Sequence, residues 1–253
     1  MTILHNEFEY VTLALLREIS GIEDEMLVLM SSDEEFLETY GRLSQKPVGE
    51  RVQLALSIEG INAVIVDGKE VFLPDDCDSE RKEFHVGYVP GTYDLLHAGH
   101  IENIMFARKC CERVVVGVNS DSLVWLNKRK HTFQNERTRS FVLSHLKGVS
   151  MVMVVNTNDK HVVSETIEEH LGCPMDVIIL GEDLKDKDQI NKVGLPEGVK
   201  IIYTSRPPQV AERRCSTADR RKIHELQEQV ERLAEENERL ARLLNQLGEQ
   251  VDD

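Results

Sequence analysis

The sequence predicts an α/β protein built on a doubly wound parallel sheet. Two observations predict it. Between residues 84 and 222, short apolar runs rich in valine and isoleucine alternate with helix-like stretches. The first run ends in a glycine-containing turn that hands over directly to a helix-like segment. Short strands separated by helices imply parallel pairing with both faces covered. In chain order the runs are Phe84 to Val89, Val114 to Val118, Met151 to Val155, Asp176 to Gly181 and Lys200 to Tyr203. Helical patterns fall near 101–111, 121–127, 135–147 and 160–171. This order reads as a Rossmann-like domain, 84–222, with its site at the carboxyl ends of the strands.

Residues 1–74 read as a degenerate copy of the same unit, followed by an acidic linker, 75–83. Shifting the chain by 88 positions without gaps puts Ser32-Asp33 on Ser120-Asp121, and Met26 and Val28 on Val114 and Val116. It also puts Gly60 on Gly148, with Val64 and Val66 on Val152 and Val154. Glu50-Arg51 then falls two residues from the register of Glu136-Arg137. An internal duplication follows. Glu9 and Thr12 stand where the second copy has His97 and His100, so the first copy is expected not to catalyse and to serve as a structural or interface half-domain.

Residues 223–253 predict a parallel two-stranded coiled coil. Ile223, Val230, Asn237, Leu244 and Val251 occupy a, and Leu226, Leu233, Leu240 and Leu247 occupy d. β-Branched residues at a, Leu at d and one Asn at a favour two strands. The e positions Gln227, Ala234, Ala241 and Gly248 carry no charge, so a homodimer is the simplest partner choice.

Composition narrows the function. The formal net charge of −15 argues against nucleic-acid or anionic-membrane binding, which needs basic surface. Local basic clusters, Lys128-Arg129-Lys130-His131 among them, still suit a small anionic substrate. No apolar run approaches the roughly 20 residues that span a bilayer, and the N-terminus lacks a secretory pattern. Five cysteines without CxxC spacing fit a reducing cytoplasm, with Cys110 and Cys111 read as buried thiols on a helix. No His/Cys/Asp cluster suggests a structural metal.

The chemistry concentrates in residues 91–100, Gly-Thr-Tyr-Asp-Leu-Leu-His-Ala-Gly-His. His97 and His100 are one helical turn apart, so both can aim at one point. Backbone N–H groups at the helix start favour a phosphate there. Gly91 permits an unusual dihedral or a close approach, and Gly99 lets phosphate come near the main chain. The decapeptide resembles the HxGH signature of the nucleotidyltransferase superfamily, in the GTxDxxHxGH form typical of cytidylyltransferases.

That resemblance implies nucleotidyl transfer, in which a substrate phosphate attacks the α-phosphorus of a nucleoside triphosphate and pyrophosphate leaves. It implies His97, His100, Thr92, Lys128 and Lys130 as catalytic residues, with Mg²⁺ carried by the triphosphate. It places Asp94 near the acceptor or a metal ion, with capping of the next helix as its other role, and Arg137 of Asn135-Glu136-Arg137 at a phosphate. Gly181 and Asp183 would lie beside the base. Cys215-Ser216-Thr217-Ala218-Asp219-Arg220 is similar to the family's second signature, which implies Ser216, Thr217 and Arg220 at the triphosphate. The run that usually precedes that signature is absent, and Arg220-Arg221 replaces its usual apolar pair.

Transfer of CMP from CTP to a small phospho-alcohol is the first expectation: glycerol 3-phosphate, phosphoethanolamine or phosphocholine. The enzyme alternative is adenylyl transfer, because His-Ala-Gly-His, Asn119-Ser120-Asp121 and Cys-Ser-Thr are also similar to the heptose-phosphate adenylyltransferase domain. The non-enzyme alternative is a nucleotide-binding dimerisation module. Tandem domains are also similar to ethanolamine-phosphate cytidylyltransferases, though there the signature lies in a fuller first domain.

Overall fold

A computed structural model describes residues 2–8, 13–22, 26–44, 46–71, 82–187 and 191–205. The predicted coiled coil and the Cys215 to Arg220 segment lie outside the described residues. Met1–Glu212 forms one compact unit, in which the described strands make two sheets. No helix among the described residues is long and apolar enough to cross a membrane.

The amino-terminal sheet contains β1 (Thr2–His5), β2 (Met26–Leu29), β3 (Ile61–Val66) and β4 (Lys69–Val71), in that order. The first three are parallel, and β4 folds back on β3 through Asp67 and Gly68, both at positive φ. Its helices are α1 (Leu13–Ser20), α2 (Asp33–Tyr40) and α3 (Val48–Leu56).

The second sheet is the predicted one. It holds β5 (Phe84–Gly91), β6 (Cys111–Asn119), β7 (Met151–Val155), β8 (Val177–Gly181) and β9 (Lys200–Thr204). All are parallel, in the order β7-β6-β5-β8-β9. Helix α4 (Ala98–Cys110) follows β5, α5 (Asp121–Lys128) and α6 (Glu136–Ser144) follow β6, and α7 (Lys160–Leu171) follows β7. The chain builds outward from β5 to one side, then crosses to β8 on the other. The switch point therefore lies between β5 and β8, where open α/β sheets bind ligands.

Alternation along the strands feeds two cores. Val114, Val116 and Ile179 join one cluster, while Val115, Ile178 and Leu180 join the other. Tyr88 of β5 sits in the second cluster and reaches over β6, so a Cβ on Gly117 would collide with its hydroxyl and ring edge. Gly117→Ala is therefore expected to lower stability by ~1–3 kcal/mol, the range for adding a methyl group to a packed core. A thermal melt checks this, and an unchanged midpoint would refute the packing argument.

The cysteine expectation needs correction. Cys110 ends α4 and is half-buried, but Cys111 opens β6 opposite Phe84. The pair straddles a helix-to-strand junction because β6 begins pairing three residues earlier than its valine run suggests.

Several elements of the amino-terminal part and the second sheet's part share bounds at the 88-residue shift. Both bounds of α2 and α5 are related by that shift, as are both bounds of α3 and α6. Ser32 and Ser120 cap their helices by accepting from the amides of Glu35 and Leu123. Gly60 and Gly148 both take positive φ, 86° and 77°. The halves meet at equivalent residues. Ile58 bridges Leu146, the Glu59 amide donates to the His145 carbonyl, and the Lys147 amide donates to the Ser57 carbonyl, each hydrogen bond 2.8 Å long. This is the reciprocal pattern of an antiparallel bridge, made here between residues 88 positions apart.

The register also pairs two buried arginines. Arg51 corresponds to Arg139 with no offset, two residues beyond Arg137. Both arginines are fully buried and pair with equivalent aspartates, Asp33 and Asp121.

Candidate functional site

The site is built on the loop from β5 to α4. Tyr93 and Leu95 occupy the left-handed region, at φ 55° and 58°. Non-glycine residues held there cost ~1–3 kcal/mol each and persist only where the surroundings fix them. Here the fixing groups are evident. The Tyr93 hydroxyl donates to the Val89 carbonyl at 2.8 Å, and Leu95 and Leu96 are buried. Burial pushes the Tyr93 phenol well above its usual range, so it stays a donor. A Cβ on Gly91 would stand 2.7 Å from the Tyr93 ring. Gly91 thus meets the close-approach expectation, but the approaching group is Tyr93.

Asp94 is 1% exposed and accepts from the amides of Phe133 (3.0 Å) and Gln134 (3.0 Å). It ties the signature loop to the α5–α6 loop.

With Tyr93 and Asp94 fixed, the chain enters α4 at His97. This residue takes the N-cap position with extended backbone, and its side chain makes no capping hydrogen bond. Its ring stacks instead on His100, with centroids 3.8 Å apart and planes 23° apart. Tyr93 lies against His100 at 5.1 Å. Gly99 is buried in the first turn between the two histidines. The result is two imidazoles and the positive end of a 13-residue helix at one place, which suits an anionic phosphoryl group.

Lys128 closes the site from the end of α5. Its Nζ donates to Thr92 Oγ1 at 2.8 Å, joining two of the predicted residues. Lys130 and Arg137 make no hydrogen bond or ion pair among the described residues, and Arg137 is exposed. Lys128→Ala is expected to raise KM for the phosphorylated substrates about tenfold, the scale of one charge-assisted contact. Lys130→Ala should change it less than threefold. Initial rates at varied substrate decide this, and equal effects would remove the distinction.

The arginine that organises the site is Arg139. Its guanidinium donates to the Thr92 carbonyl through Nη1, to the Gln134 carbonyl through Nε at 2.9 Å, and to Asp121 through Nη2. It therefore clamps the signature loop, the α5–α6 loop and the α5 start. Burial opposes ionisation of Asp121, but hydrogen bonds from Arg139, Thr132 and the Glu136 amide outweigh it and hold the carboxyl below its usual range. The buried brace thus lies two residues beyond Arg137. The repeat could have found it, because Arg51 matches Arg139 without a gap.

Gly181 ends β8 beside the switch point and is buried, while Asp183 is exposed in the 3-10 turn Glu182–Lys187. At the end of β7 a buried lysine, Lys160, donates to the Asn158 carbonyl at 2.6 Å. Burial lowers its pKa, against the opposing pull of Asp159. No sequence motif marked it. Asn158 also exchanges amide hydrogen bonds with Asn127 of α5. Ser216, Thr217 and Arg220 are outside the described residues.

Comparison with known proteins agrees with this architecture. The cytidylyltransferase-like family model matches residues 88–239. The chain belongs to the cytidylyltransferase-like family, and so to the nucleotidyltransferases. Among individual proteins, it is 40% identical over 75 residues to the bifunctional protein HldE of Rhodopseudomonas palustris (strain BisB5), which is 29% of this chain and 15% of that protein. It is 34% identical over 103 residues to the HldE of Nitrobacter hamburgensis, 38% of this chain and 21% of that protein. The chain thus spans about a fifth or less of these relatives. A lipopolysaccharide core biosynthesis protein from Thermoplasma volcanium aligns at 26% identity and a TM-score of 0.36, over 49% of this chain and 98% of that one.

Proposed function

We propose that the chain transfers an adenylyl group from ATP to a sugar phosphate and releases pyrophosphate. The observation that carries the reading is the stacked His97–His100 pair at the start of α4, with Lys128 and Thr92 joined beside it. Adenylyl transfer is preferred to the cytidylyl transfer first expected because the HldE proteins match this chain. The His-Ala-Gly-His and Asn119-Ser120-Asp121 segments, similar to the heptose-phosphate adenylyltransferase domain, point the same way.

In this reaction an oxygen of the acceptor phosphate bonds to the α-phosphorus, and the bond from that phosphorus to the bridging oxygen breaks. The electron pair leaves with pyrophosphate. The protein's work is positioning and charge stabilisation. His97 and His100 donate to the oxygens of the transferring group. Lys128 holds the acceptor phosphate as a mobile point charge. The backbone at Gly181 borders the base, and Ser216, Thr217 and Arg220 receive the leaving pyrophosphate.

Mg²⁺ would supply charge neutralisation on the triphosphate. Among the described residues no three His, Cys, Asp or Glu converge to hold an ion, and Asp94 is engaged by backbone amides. The triphosphate oxygens would therefore supply most of its ligands. The heptads of 223–253 would pair two copies, and the cysteine usage suits a reducing cytoplasm.

Pyrophosphate release tests the reading, with ATP and CTP offered separately against sugar phosphates and phospho-alcohols in the presence of Mg²⁺. Release with ATP and a sugar phosphate supports it. Release only with CTP and a phospho-alcohol would return the assignment to cytidylyl transfer. Nucleotide binding without release under any pairing would make the chain a binding module.

A further inference from the structure

We propose that Glu50, carried by the amino-terminal half, is a positioning residue for the histidine pair of the second half. The first turn of any helix leaves backbone N–H groups without intrahelical partners. Helices α2, α5, α6 and α7 each satisfy one with their own N-cap side chain: Ser32, Ser120, Asn135 and Asp159. Helices α3 and α4 do not: α3 starts after Pro47, and at α4 the His97 side chain makes no capping bond and its ring stacks on His100. The acceptor comes from the other half. The Ala98 amide donates to Glu50 Oε1 at 3.4 Å, across 48 positions of sequence.

Glu50 is well placed for this task. Its side chain is 15% exposed and is paired with Lys46, which is itself buried, at 3.4 Å. Its neighbour Arg51 is fixed by Glu7, Asp33 and the carbonyls of Lys46 and Ser31. A carboxylate at this point also meets the positive end of α4. The repeat gives Glu50 no equivalent: its counterpart in the second half is Thr138, whose amide donates to Asn135. The half that lost the phosphate signature thus holds the residue between the strained loop and the catalytic helix. Without that acceptor the first turn of α4 loosens and the two rings lose their mutual geometry, while the Lys128–Thr92 contact is untouched.

The inference rests on the proposed reaction for its kinetic part only. Glu50→Ala and Glu50→Gln in the full chain test it, by imidazole resonances without nucleotide and by initial rates. Glu50→Ala is expected to shift the resonances of His97 and His100 while leaving His161 and His170 of α7 unmoved. It should lower kcat about tenfold, with KM within about twofold, as expected when a positioning interaction rather than uniform binding is lost. Glu50→Gln keeps an acceptor and should restore both readouts. Unshifted His97 and His100 in Glu50→Ala would overturn the proposal, as would a shift of all histidines together or a failure of Gln to restore. If no substrate pair turns over, the resonances still decide the role of Glu50.

Discussion

Replacing His97 or His100 with alanine is expected to lower kcat at least ~100-fold, the scale of losing one oxyanion-type donor. The expectation follows from where the rings are. Both sit at the start of α4, stacked on each other, with His97 nearly inaccessible at 4% exposure. In that position a donor meets a developing charge with little water to compete. Because the rings act as a stacked unit, the double variant should cost little more than either single one. Pyrophosphate release under saturating substrate measures the effect, with circular dichroism confirming the fold. Turnover within threefold of wild type in both single variants would sink the mechanism.

Arg139→Met is expected to lower the unfolding free energy by about 3 kcal/mol. Its removal strands the carbonyls of Thr92 and Gln134, each worth ~1–3 kcal/mol when left without a donor. The Asp121 side chain is 42% exposed, so water can replace part of that ion pair and it adds little. Arg139→Lys should not restore the loss, because a single ammonium cannot reproduce a fork aimed at three partners. Arg51→Met should cost a similar amount, since the Arg51 guanidinium contacts the Lys46 carbonyl and Asp33 as Arg139 contacts the Gln134 carbonyl and Asp121, and also reaches Glu7 and the Ser31 carbonyl. Urea unfolding reads both, and a loss below ~1 kcal/mol at Arg139 would show that it is not the brace.

Much of this architecture was legible because local patterns carried it. The five apolar runs of the second sheet each became a strand, and Ser120 and Asn135 began helices as polar caps do. The signature located the histidines because their spacing is a single helical turn. What stayed hidden depended on side-chain direction or on distant partners. Arg137 and Arg139 lie two residues apart on α6, on nearly opposite sides of the helix, and the motif alone could not say which faces inward. The tie from Asp94 to the α5–α6 loop was hidden because its partners, the Phe133 and Gln134 amides, lie 39 and 40 positions along the chain. Glu50 carried no local signal at all, since its partner belongs to the other half.

The reciprocal hydrogen bonds between residues 57–59 and 145–147 have a consequence for how this chain can change. In an assembly of two identical subunits, every substitution is made twice, and at the axis it faces itself. Once the two copies share one chain, each side mutates alone. One copy can then drop its phosphate loop and become specialised as a support while the other keeps its chemistry. Glu50 and Thr138, which stand 88 positions apart, differ in a way that two identical subunits could not differ.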